Sequence, residues 1–296
     1  MKNGTSPLSS LTNELLGYPP DARLLIINAD DFGMCHAVNA AIIGALQAGV
    51  VRSTSVMVPC AWGLHAMRFL ADHPEISYAI HLTAVGDGAV YRWGPLTAKE
   101  QVRSLVDWGQ PAQGRYFYTF DQMADNPARL DLAELETEFR AQIEAALGAG
   151  LRPTHLDWHS LRIANRPDIL DLLFRLAREY GLALRVAWRA WQERLLGRGL
   201  PMLDSDLLDS YGLDPLTKAA YYAKLLRELP PGLSEWAVHP GLDTPEFLAA
   251  EPGSHRTRQA DYDFLTSQQA KDVIAREGII LLDYRPLQAV WQATSS

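Results

Sequence analysis

The chain has 296 residues, 48% of them hydrophobic, and a formal net charge of −8. That length and apolar content can bury a full core, and an acidic balance with Lys and Arg scattered along the sequence argues against a nucleic-acid partner. No apolar run approaches membrane-spanning length, no charged-then-apolar leader pattern opens the sequence, and Cys35 and Cys60 form no CxxC pair. The expectation is a cytoplasmic protein with reduced thiols and no membrane partner.

Residues 1–22 are polar and contain proline, which marks an arm with a short helical stretch at Leu11 to Leu16; residues 23–296 read as one domain. The run Leu24-Leu25-Ile26-Ile27-Asn28-Ala29-Asp30-Asp31-Phe32-Gly33 then delivers two adjacent carboxylates from a strand into a glycine turn. Two like charges side by side repel, so a confined pair holds one proton tightly or takes a cation between its members. A metal is the simpler solution, with one carboxylate as ligand and its neighbour as general base toward water. The alternative is an Asx-type turn capping the helix that starts near His36. Cys35, close behind the pair, reads as packing rather than as a nucleophile.

From here β-type runs alternate with helices of 3.6-residue apolar spacing and with glycine or proline breakers. Seven strands are predicted: Leu24 to Asn28, Ser53 to Val58, Tyr78 to Leu82, Thr154 to Leu156, Ala183 to Val186, Glu235 to His239 and Ile279 to Leu282. Between them, helices are predicted at Ala37 to Ala48, Leu64 to His73, Leu132 to Ala149, Arg166 to Tyr180, Thr217 to Leu229 and Thr266 to Arg276, the last capped by Thr266 and Ser267. The alternation implies an α/β fold with a parallel sheet, closed as a barrel or open and doubly wound, with its site at the strand C-termini. Gly86 to Phe120 and Arg189 to Tyr211 break the rhythm and read as active-site loops. In the first, Tyr91 and Trp93 offer flat faces on which a sugar ring stacks, or they anchor the loop.

Of eight histidines, His81, His155, His159 and His239 fall at or just past predicted strand ends. A neutral imidazole is the commonest metal ligand and needs an acceptor on its other nitrogen. Asp157, on the same strand face as His155, is placed to orient a histidine or a substrate amine. His36, His65, His73 and His255 read as solvated. Arg185 and Arg285, at later strand ends, read as substrate contacts, partners of Asp30, or structural ion pairs.

With Asn28-Ala29-Asp30-Asp31-Phe32-Gly33, Ala79-Ile80-His81-Leu82-Thr83 and Thr154-His155-Leu156-Asp157-Trp158-His159 in this order, the chain resembles the YdjC-type carbohydrate deacetylases. Val238-His239-Pro240-Gly241, the Asp261-Tyr262 region and Asp283-Tyr284-Arg285-Pro286 resemble that family's closing motifs. The resemblance implies an irregular (β/α) barrel of about seven parallel strands, one divalent metal ion and hydrolysis of an acetamide on a small N-acetylated sugar or oligosaccharide. It makes Asp31, His81 and His159 the metal ligands and Asp30 the catalytic base, and it points to a homodimer; Trp188 and Trp191 read either as interface markers or as core residues. His239 is the candidate general acid, with His155 as competitor. Zinc or magnesium lead for the ion, and manganese, cobalt or nickel also suit oxygen and imidazole donors. After His159 many relatives carry further histidines, whereas this chain reads Ser160-Leu161-Arg162-Ile163-Ala164-Asn165-Arg166-Pro167, which implies a variant branch with its own rim.

The same base, ligands and acid would serve a metal-dependent amidase or esterase on a non-sugar acyl compound. An inactive carbohydrate-binding homologue fits less well, because Asp30, Asp31, His81 and His159 are all present. A glycosidase is disfavoured, since adjacent carboxylates on one turn seldom flank a glycosidic bond.

Overall fold

The fold is given by a computed structural model that describes residues 9–88, 90–109, 115–161, 166–195, 198–209 and 211–294. Its centre is β1 (Arg23–Phe32), an apolar run buried on both faces, as central parallel strands are. One edge of β1 pairs with β7 (Gly232–Val238) from Arg23 to Ala29. The other edge is shared: β8 (Ile280–Leu282) takes Leu24 to Ile26, and β2 (Ser53–Val56) takes Asn28 to Phe32. Beyond β2 follow β3 (Ser77–Leu82), β4 (His155–Trp158) and β5 (Ala183–Leu184), and beyond β7 lies β6 (Leu208–Asp209). Every pairing is parallel.

The sheet curls into an incomplete barrel. Its edges, β5 and β6, do not pair as strands, but just beyond them the Leu207 N–H donates to the Ala187 carbonyl at 3.0 Å. All seven predicted strands are present. The additional strand, β6, has two residues and lies inside the stretch read as a loop, where no periodicity could reveal it.

The six predicted helices are α2 (His36–Ala48), α3 (Gly63–Asp72), α5 (Leu132–Gly148), α6 (Pro167–Tyr180), α8 (Lys218–Arg227) and α11 (Gln268–Arg276). Their ends follow local chemistry. Asp131 caps α5 by accepting from the Ala133 and Glu134 N–H groups, Ser267 caps α11 by accepting from Ala270, and Gly49 and Gly181 end α2 and α6 at positive φ. The helix α6 turns Ile169, Leu170, Leu172, Leu173 and Leu176 onto the sheet, each full burial contributing about 1.5–3 kcal/mol.

Further helices are α1 (Ser9–Leu15), α4 (Phe120–Asp125), α7 (Arg189–Leu195), α9 (Pro245–Ala250), α10 (His255–Leu265) and α12 (Arg285–Ala293). The arm helix α1 is tied down: Thr12 Oγ1 donates to the Met202 carbonyl at 2.8 Å, and Asn13 Nδ2 donates to the Pro19 and Ala22 carbonyls. His255 is not solvated as expected. It is buried at the start of α10, with Nδ1 2.8 Å from Asp243 Oδ1. Both cysteines are free and buried, and burial pushes their thiols upward, which suits packing and not nucleophilic attack. No helix among the described residues is long and apolar enough to cross a membrane.

Candidate active site at the strand ends

The acidic turn is built by close backbone packing. Gly33 has φ 106°, and a Cβ there would lie 3.0 Å from both Gly63 Cα and the Met57 carbonyl. Asn39 Oδ1 accepts from the Gly33 N–H at 2.7 Å, and the Phe32 carbonyl accepts from Met57. Asp31 itself has φ 72°, where the β1–β2 register shifts. Neither aspartate caps α2: its N-cap is Cys35, without a side-chain cap bond, so the Asx reading does not hold.

Asp31, His81 and His159 converge. Asp31 Oδ1 lies 3.0 Å from His159 Nδ1 and 3.4 Å from His81 Nε2, and one donor atom from each residue falls within 4.8 Å of the others. All three are buried. Their remaining polar atoms are held from behind by Arg258 Nη2 on Asp31 Oδ2 at 2.7 Å, Asp157 Oδ1 on His81 Nδ1 at 2.8 Å, and Asp87 Oδ1 on His159 Nε2 at 2.7 Å. One carboxylate and two imidazoles, each with a single atom turned into a shared space, fit a divalent ion.

The charges around the cluster reinforce this. Burial opposes ionisation of Asp31, but Arg258 and the two histidines outweigh it and hold the carboxyl well below its usual range. Burial alone would lower both imidazoles. Instead Asp157 raises His81 to about 9, and Asp87 with Asp31 raises His159 to about 10. An ion entering this space displaces protons, because only neutral imidazole ligates.

Asp30, next to Asp31 in sequence, has different partners. Arg185 grips it with both ends of the guanidinium, Nη1 to Oδ2 at 2.8 Å and Nη2 to Oδ1 at 2.9 Å, and Asn28 Nδ2 donates to Oδ1 at 2.6 Å. Arg185 also reaches Asp157 Oδ2 at 3.0 Å and, through Nε, Glu235 Oε1 at 2.8 Å. Tyr284 donates to the other Glu235 oxygen. Burial, helped by Asp30 and Asp157, pushes Glu235 up to about 7 against the pull of Arg185.

These groups open into a cavity of about 480 Å³. Asp30, Asp31, His81, His159 and Arg185 line it, and His239 at the end of β7 closes another side, with its ring edge-on to Tyr211 at 5.2 Å. The His239 N–H donates to Asp261 Oδ2, which fixes the backbone there. The apolar walls are Phe120, Trp158, Leu161, Trp188 and Leu207. Residues 162–165 of the departing rim segment lie outside the described residues.

Several sequence expectations are corrected. His155 opens β4 instead of ending it, so it sits below the rim, fully buried, stacked on Tyr284 at 3.5 Å, and burial drives its imidazole down to about 3. It does not line the cavity described above. Of the two roles read for Asp157, orienting a histidine is the one the geometry shows: it is fully buried, does not line the cavity, and spends its oxygens on His81, Ser55 and Arg185. Arg285 is a structural partner, bonded to Asp283 and to the Pro74 and Glu75 carbonyls. The cause is that β8 pairs only with the start of β1, so its end emerges well below the rim.

The aromatic loop also acts differently from the stacking role. Tyr91 donates to the Met34 carbonyl and lines a separate small pocket with Cys35. Trp93 is buried, donates to the Val85 carbonyl at 2.9 Å and packs edge-on behind His159. Of the two readings of Trp188 and Trp191, the core reading holds for Trp191, which is buried against Trp158, while Trp188 packs beside it and lines the cavity. Asp87, Arg258 and Glu235 were missed. They stand alone in a loop, a polar helix and a strand interior, and no motif spacing announces them.

Similarity to known proteins agrees with this arrangement. A family model described as YdjC-like protein matches residues 24–276. A carbohydrate deacetylase of Thermus thermophilus is 32% identical over 282 residues, spanning 92% of this chain and 93% of that protein. A chitooligosaccharide deacetylase of Yersinia enterocolitica is 29% identical over 268 residues, spanning 88% of this chain and 98% of that protein. A crystal structure from Enterococcus faecalis V583, described in connection with cellobiose-phosphate cleavage, superposes with a TM-score of 0.76 at 30% identity, covering 90% of this chain and 99% of that one. The chain belongs to the YdjC-like protein family.

Proposed function

We propose that the protein is a metal-dependent carbohydrate deacetylase that hydrolyses the acetamide of a small N-acetylated sugar or oligosaccharide. The observation that carries this reading is the division between two neighbouring carboxylates: Asp31 joins two histidines, whereas Asp30 is held by Arg185 beside the same cavity. Asp31, His81 and His159 would hold the ion. A divalent ion supplies Lewis acidity, polarising the acyl carbonyl and making water more acidic. Asp30, fixed by Arg185, takes the proton from the attacking water. His239, on the wall formed by β7, delivers a proton to the departing amine nitrogen, and His155 is out of reach for that role. Trp158 and Trp188 give flat apolar surface against which a sugar ring packs.

The test is acetate release from N-acetylglucosamine and its oligosaccharides, before and after chelation, with metal restored and with Asp30→Asn alongside. Metal-dependent release that disappears in Asp30→Asn is the expected result. A protein that binds the ion yet cleaves only simple acetamides or acetate esters would refute the sugar assignment.

A further inference from the structure

The three ligand candidates are braced in the same way, but from elements of different kinds. Asp157 braces His81 from the neighbouring strand, and Arg258 braces Asp31 from α10. The brace on His159 is Asp87, which belongs to the long connection between β3 and α4. That connection is anchored at the two residues just before the contact. The Gly86 N–H donates to the Tyr118 carbonyl at 2.9 Å and the Gly86 carbonyl accepts from Phe120 at 2.8 Å. The Val85 carbonyl accepts from Trp93 Nε1, and the Trp93 ring lies edge-on to the His159 ring at 5.7 Å. The imidazole is therefore held at Nε2 by a carboxylate on a pinned backbone, while Nδ1 faces Asp31 Oδ1, the oxygen that His81 Nε2 also approaches.

We propose that Asp87 is a positioning residue that orients His159 through Nε2 and turns Nδ1 toward the ion, so that the β3–α4 connection sets metal affinity. This inference rests on the metal-centre reading of Asp31, His81 and His159. A carboxylate on the outer nitrogen fixes the ring and raises its basicity, and losing such a partner weakens metal binding by about 10- to 100-fold. The side chain of Asp87 is 21% exposed, so water can reach its place after truncation.

The experiment is titration of the metal-free protein with Co(II), read by calorimetry and by visible absorption, for the wild type, Asp87→Ala and Asp87→Asn, with circular dichroism melts as a check on folding. Asp87→Ala is expected to bind Co(II) about 10- to 100-fold more weakly with an altered absorption band, and Asp87→Asn, which keeps a neutral acceptor, to fall between. Unchanged affinity in a folded Asp87→Ala overturns the inference. Tighter binding also overturns it, because Asp87 would then be competing with the ion. Should Asp87→Ala fail to fold, Asp87→Asn decides: weaker binding supports the inference and wild-type affinity overturns it. If the wild type itself binds no Co(II), the metal-centre reading falls and takes this inference with it.

Discussion

Arg185 is the position where removal of one side chain should cost most. Its guanidinium meets three carboxylates, Asp30, Asp157 and Glu235, at 2.8–3.0 Å, and all four residues are at most 4% exposed. Arg185→Met keeps much of the volume but leaves those charges facing one another in a dry interior. Removing one partner of a buried ion pair costs about 3–5 kcal/mol, a large share of the roughly 5–15 kcal/mol that stabilises a domain. The sign of the pH dependence follows. Without the cation the burial that already raises Glu235 goes unopposed and Asp157 loses one of the charges that lower it, so the folded state takes up protons more readily and the deficit grows as pH rises. The deficit should therefore be smaller at pH 5 than at pH 8 when measured by urea denaturation. Activity should fall about 100-fold or more even at temperatures where the variant is folded, because Asp30 loses both guanidinium bonds and keeps only the one from Asn28. A variant within about 1 kcal/mol of wild type at both pH values would refute this account of the network.

The two remaining expectations concern Glu235 and Gly33. Burial, with Asp30 and Asp157, raises Glu235 from an ordinary value of 4.5 to about 7, so the wild type should lose stability as pH climbs from about 4.5 through 7. Glu235→Gln should flatten that slope in urea midpoints taken across the window, and an unaltered slope would place the proton elsewhere. Gly33→Ala sets a Cβ 3.0 Å from backbone atoms at a φ of 106°, which combines strain with overpacking and should cost about 2–5 kcal/mol in the same denaturation assay. A loss below about 1 kcal/mol would show that the Gly33–Gly63 approach can relax.

The legible part of this fold is the part whose physics is local. Strands buried on both faces, such as β1 and β3, show short apolar runs at Leu24 to Ile27 and Tyr78 to Ile80, and α6 shows its stripe in full. By contrast, α10 was invisible because much of what it buries is polar: His255, Arg258 and Asp261 face inward, Arg258 to reach Asp31 and Asp261 to accept from the His239 N–H. The four site residues of the acidic turn and the two histidine motifs were legible because their segments end strands at the rim. His155 and Arg285 misled for a register reason, since one begins its strand and the other follows a strand paired only at the foot of β1. Tyr91 and Trp93 show the limit of composition: the aromatic loop was visible, but whether its rings face substrate or the back of a ligand depends on the tertiary path. The cavity wall comes from Trp158 and Trp188, which no local pattern distinguishes from them.

The left-handed backbone at Asp31 carries a further consequence. In an uninterrupted strand the parity of neighbouring residues is opposite, so Asp30 and Asp31 would point to different sides of the sheet and never share a chamber. The local reversal at φ 72° cancels that parity, and both carboxylates line the same cavity. A one-residue insertion between Asp30 and Asp31 would therefore send the two carboxylates to different sides of the sheet while leaving every side chain of the motif in the sequence.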